Sequence, residues 1–152
     1  MKYAHIALGL ALLSLTACGQ VRHVFPPAVN VEQLRTPPSG DWTATVRLHN
    51  QSYDAGVRFD HLKLDLRMDG VDAGLLEQKL SLDVAERNSD VAEVQFTPTA
   101  AARDKLSANS QQIRYTVSGS VTLSDEGRNS GDFDVEQSGW LSPVPGVAHM
   151  YR

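Results

Sequence analysis

The chain of 152 residues has a net charge of −4, with acidic and basic residues interspersed and no basic stripe. That excludes the electrostatic footprint of a nucleic-acid-binding domain. An apolar share of 41% over this length fits one domain with its own hydrophobic core. Cys18 is the one cysteine, so no intramolecular disulfide can staple that core and packing alone must hold it.

The first element is a leader. Lys2 supplies a charged start, and residues 6–15 (IALGLALLSL) form an apolar run of signal-peptide length, too short to span a bilayer. Leu15-Thr16-Ala17-Cys18 closes it with a small residue before the cysteine. This leader resembles those of bacterial lipoproteins, in which the cysteine thiol receives a diacylglyceryl group and cleavage makes that cysteine the new N-terminus. The resemblance implies a cleaved signal peptide over residues 1–17 and two or three acyl chains, palmitate among them, on Cys18. One chain binds a membrane only marginally, whereas several make attachment effectively permanent. An exported lone thiol would otherwise be a liability. No other segment approaches ~18 consecutive apolar residues, so the expectation is a protein anchored to a membrane surface without crossing it. Without Lys2 the mature chain has 13 basic against 18 acidic residues, a net −5, which does not favour anionic headgroups. In Gram-negative lipoproteins an Asp after the cysteine favours inner-membrane retention. Gly19 stands there, which points to the outer membrane, with the domain facing the periplasm.

Residues 18–27 read as the lipidated cysteine and a short tether, with a reach of about 30 Å. Val29 and Val31 alternate with polar neighbours as a first strand, and Thr36-Pro37-Pro38-Ser39-Gly40 breaks it. Trp42, Ala44, Val46 and Leu48 alternate with Thr43, Thr45, Arg47 and His49, a period of two that marks a strand with one buried face. Asn50 to Gly56 is rich in turn formers. Val57 and Phe59 start a third strand, and Leu62, Leu64, Leu66 and Met68 continue it on shifted parity. A bulge or bend near His61 would reconcile the halves. Asp69-Gly70 suits a hairpin turn, after which Leu80, Leu82 and Val84 alternate, then Ala92, Val94 and Phe96. Thr97 as cap and Pro98 in the first turn predict one short helix over residues 98–108, stopped by Asn109. Ile113, Tyr115 and Val117 resume a strand that runs through Gly119, Val121 and Leu123. Residues 125–131 form a polar hairpin loop, Phe133, Val135 and Trp140-Leu141 close the domain, and residues 143–152 read as a loose tail. About seven strands and one helix between residues 28 and 142 predict a two-sheet antiparallel sandwich.

Several stretches together resemble the LEA type 2 family, also called the water stress and hypersensitive response (WHy) domain. Leu48-His49-Asn50 is similar to the family's strand running into Asn-Pro-Asn, although Gln51-Ser52 departs from that signature. Met68-Asp69-Gly70, followed by Gly74, resembles its apolar run into Asn-Gly and a second glycine. Tyr115-Thr116-Val117-Ser118-Gly119 resembles a Tyr-x-x-x-Gly strand, and Gly139-Trp140-Leu141 its closing strand. The resemblance spans residues 27–142. It implies an immunoglobulin or fibronectin-like sandwich, an association with desiccation and other stresses, and no established catalytic residues. Asn50, Gly70, Gly74, Tyr115, Gly119 and Gly139 are then structural motif residues, with Asn50 holding a turn through its side chain.

Little else in the chain carries chemistry. His23, His49, His61 and His149 show no metal-ligand spacing. Asp65, Asp69 and Asp72 do not match a calcium loop. There is no Gly-x-Ser-x-Gly elbow and no glycine-rich phosphate loop. The expectation is a domain with no catalytic site, no cofactor and no metal, anchored through Cys18. Its expected role is stress-protective or interactive. An adaptor for an envelope machine, binding a protein partner by a sheet edge, is the first alternative, and a carrier of a small apolar ligand the second.

Overall fold

The computed structural model describes residues 23–107, 111–125 and 129–152. Cys18 and the leader, like Asn109, lie outside the described residues. Eight strands and one helix follow in chain order: β1 (Ala28–Arg35), β2 (Trp42–His49), β3 (Val57–Met68), β4 (Val71–Val84), β5 (Ser89–Phe96), α1 (Ala100–Ser107), β6 (Ile113–Asp125), β7 (Asn129–Leu141) and β8 (Met150–Tyr151). They form two antiparallel four-stranded sheets, ordered β5-β2-β1-β8 and β4-β3-β6-β7. The predicted all-β two-sheet sandwich with one short helix is the observed architecture.

Period-two patterning decides what lies between the sheets. Trp42, Ala44, Val46 and Leu48 of β2 are all buried, facing Leu62, Leu64 and Leu66 of β3 and Val117 and Val121 of β6, all fully buried. The parity shift in β3 is resolved as predicted: Phe59 pairs with Leu123 and His61 with Thr122, leaving Asp60 as the extra residue of a bulge. Both Phe59 and Leu62 thereby reach the core.

Four details differ from the sequence reading. β4 begins at Val71, directly after the turn, because Ala73 and Leu76 already point inward. The helix is capped by Thr99 and not by Thr97. Thr99 Oγ1 accepts the Ala102 amide at 3.1 Å, while Thr97 donates to Asp41 at 2.8 Å and Pro98 precedes the cap. Residues 24–27 are not free tether, since Val24 packs on the core and Pro27 is buried. The last ten residues are not loose either. Ser142 and Arg152 exchange backbone hydrogen bonds at 2.7 and 2.8 Å, Val144 donates to the Met150 carbonyl, and Tyr151 pairs with Leu34. Gly146 and His149, both at positive φ, let the chain reverse, and the Tyr151 side chain is buried.

Candidate functional site

The strands run between two ends. At the tether end lie the entering chain, the residue 50–56 loop and the residue 85–88 turn; at the far end lie the Asp69-Gly70 turn, α1 and the C-terminal hairpin. The motif residues divide between them.

Asn50 organises the tether end. It is 1% exposed, and its Nδ2 donates to the carbonyls of Ala55 (2.8 Å), Val84 (3.2 Å) and Ala85 (3.1 Å). Its Oδ1 accepts the Ser52 amide at 2.9 Å, and its own amide donates to Asn88 at 2.9 Å. One side chain thus ties the loop after β2 to the turn after β4, joining the two sheets. Buried carbonyls left alone would each cost free energy comparable to a lost hydrogen bond. Asn50 holds this turn through its side chain.

An aromatic tip stands on this network. Ser52, fully buried, accepts the Phe25 amide at 3.1 Å and pins the entering chain to the loop. The Phe25 and Tyr53 rings meet edge to face at 5.2 Å, and Arg87 lies 5.0 Å over the Tyr53 ring. Tyr53 is 62% exposed and Phe25 38%. These residues escaped the sequence reading, which took the loop for plain turn chemistry. An aromatic among Asn, Gln, Ser, Asp and Gly was the available signal.

Between the ends, Tyr115 and Gly139 act as one device. They face each other across β6 and β7, and a Cβ on Gly139 would come within 2.7 Å of the Tyr115 ring. The bare glycine lets the phenol reach the opposite sheet, where its oxygen accepts the Val31 amide at 3.2 Å beside the Glu32 bulge of β1. Burial raises the Tyr115 pKa, the Val31 bond lowers it and nearby Glu32 raises it. Gly119, at φ 153°, brings β6 against the Lys63 carbonyl of β3, a space no side chain could share.

At the far end, Asp69 and Gly70 have φ of 47° and 80°, the pair of positive values a type I′ hairpin needs. Asp69 also holds β6, its Oδ1 accepting the Arg114 amide at 3.0 Å. Gly74 lets β4 approach the end of β5, where an added Cβ would meet the Thr97 carbonyl at 2.9 Å. The adjoining Ala73 bulge offers its carbonyl to the Thr99 amide at 3.1 Å. A groove of about 230 Å³ opens between the residue 36–38 loop, the end of α1 and the C-terminal hairpin. Trp42, Arg103, Leu106, His149 and Tyr151 line it. Arg103 stacks 5.8 Å from the Trp42 ring and donates to the Gly40 carbonyl at 2.5 Å. The buried Trp42 Nε1 has no acceptor among the described residues.

The histidines are not brought together. His49 bonds Ser89 at 2.8 Å, and His61 faces Glu77 at 3.5 Å from the other sheet. Among the described residues no three His, Cys, Asp or Glu side chains cluster as a metal site. Trp42 packs in the core, whereas Trp140 stands 58% exposed on β7.

No family model and no curated relative matches the chain. Among solved structures, a protein from Archaeoglobus fulgidus is similar at TM-score 0.47 and 9% identity, over 80% of this chain and 98% of that one. The solution structure of an Arabidopsis thaliana protein is similar at TM-score 0.53 and 11% identity, over 85% of this chain and 88% of that one. At this identity the second likeness bears on fold alone.

Proposed function

We propose that the protein is a non-enzymatic lipoprotein of the cell envelope, held at the outer membrane by acyl chains on Cys18, whose LEA type 2-like sandwich protects or contacts other envelope components under stress. The observation that carries this reading is the Leu15-Thr16-Ala17-Cys18 leader end, followed after only five residues by Val24, which already packs on the folded body. A domain held this closely works on what is at the membrane surface. The sandwich fold is compatible with the LEA type 2 resemblance, and the stress role rests on that resemblance.

The filled interior tells against the ligand-carrier alternative. Leu48, Leu62, Leu64, Leu66, Val117 and Val121 occupy the space between the sheets. A small apolar ligand would be left with the far-end groove, which Arg103, Ser107 and His149 make half polar. The adaptor alternative keeps a foothold in the exposed Trp140 on edge strand β7.

The test is deletion of the gene in its host, followed by survival after desiccation, osmotic shock and freeze–thaw. Loss of survival that the wild-type gene restores and Cys18→Ser does not is the expected result. Unchanged survival under all three stresses overturns the protective role. Cross-linked membranes yielding one stoichiometric partner would favour the adaptor.

A further inference from the structure

We propose that the tether end of the sandwich rests on the phospholipid interface, with Phe25, Tyr53 and Arg87 as its contact surface, so that the far-end groove faces away from the membrane. This rests on the anchored reading above and adds an orientation and a binding surface to it.

The first support is the length of chain left outside the fold. Val24 packs on the core and the Phe25 amide is held by Ser52, so the span from Cys18 to the body is six residues. Fully extended, it reaches about 20 Å. The strands are longer than that: β4, with 14 residues, measures roughly 45 Å at about 3.3 Å per residue. A tether shorter than the body cannot bring the far end down while Val24 stays docked at the near end.

The second support is the chemistry of the tip. Aromatic rings with one polar edge settle at the headgroup level of a bilayer. Tyr53 is the most exposed large hydrophobic side chain among the described residues, and Phe25 lies beside it. Arg87 covers the Tyr53 ring and can keep its guanidinium among phosphates while its stem lies on apolar surface. Exposed Asp54 and Glu86 adjoin Tyr53 and Arg87 in the chain, so among the described residues this group carries no excess of positive charge and zwitterionic lipid suffices.

The test uses the full chain made in a lipoprotein-processing host and reconstituted in phosphatidylcholine vesicles. Mass spectrometry of the Cys18 peptide comes first. An unacylated Cys18 overturns the anchored reading and this proposal with it. With Cys18 acylated, a cysteine introduced at Asp54→Cys or at Val147→Cys is the only free thiol and takes an environment-sensitive dye. Nitroxide-headgroup lipid is expected to quench the dye at 54 severalfold and to leave the dye at 147 unchanged. The double variant Phe25→Ala/Tyr53→Ala should lose most of that quenching while remaining with the vesicles. If the double variant loses its fold, Tyr53→Ser, which leaves the core untouched, replaces it. Equal quenching at both positions, none at either, or full quenching in the variant overturns the orientation while the anchor stands. Disulfide-linked dimers of the unlabelled Asp54→Cys protein on the vesicle with an added thiol oxidant, together with no quenching of the labelled one, would overturn the orientation and assign the tip to a second copy.

Discussion

At the tether end a single buried amide, Asn50, gathers three carbonyls and a neighbouring N–H from two loops, and the loops so held leave Tyr53 in solvent. At the far end closure is distributed: a two-residue turn, a capped helix, and a hairpin whose backbone pairs with itself and with β1. The first end is held by polar satisfaction at one point and the second by many separate backbone and apolar contacts. One substitution should therefore undo the tether end, while the far end should yield only to removal of a whole element.

Asn50→Ala is the sharpest way to break that contrast. It strands Ala55, Val84 and Ala85 carbonyls and the Ser52 amide, and should cost about 3 kcal/mol in denaturant unfolding. A cost below about 1 kcal/mol would mean water replaces the amide and the contrast fails. Truncation after Ser142 should cost about 2 kcal/mol, because it uncovers Leu34 and removes the buried Tyr151. A truly loose tail would cost nothing. Tyr115→Phe, between the two ends, should cost about 1 kcal/mol through the unpaired Val31 amide.

The same tyrosine makes a pH prediction. Burial raises its folded pKa above the unfolded value, so the neutral phenol's contribution is fully present below about pH 10. It is lost as pH rises through the folded pKa. Tyr151, also raised by burial, acts in the same direction. Thermal melts from pH 8 to 11 should show the loss, and Tyr115→Phe should lessen it. Smallest of all is the Arg58–Asp83 pair at the tether end. Its bidentate geometry lowers the Asp83 pKa and raises that of Arg58, yet both groups lie in solvent. Its contribution is present above the usual carboxylate range and fades as pH falls through the lowered Asp83 pKa. Asp83→Asn should leave stability within measurement error at physiological salt.

Much of the sandwich was legible because its strands bury one face and water the other. Seven strands, the Asp60 bulge and the Asp69-Gly70 hairpin follow from parity and turn chemistry alone. The eighth strand did not, since Met150 and Tyr151 are too few to show a period, and the prolines before them read as an ending. The helix cap went to Thr99 because Thr97 found Asp41, a residue 56 positions away. Asn50 was recognisable as a turn residue, but not its joining of two sheets. The aromatic tip was invisible for the same reason: Phe25, Tyr53 and Arg87 meet only after three separate loops converge.

The phenol of Tyr115 also bears on strand addition. Beyond its short pairing with β8, β1 is an edge, and open edge amides are templates on which another chain can add a strand. Val31 spends its amide on Tyr115, and the Glu32 bulge beside it breaks the register a visitor would need. The tyrosine behind Val31 thus takes one edge amide of β1 out of reach of a visiting strand.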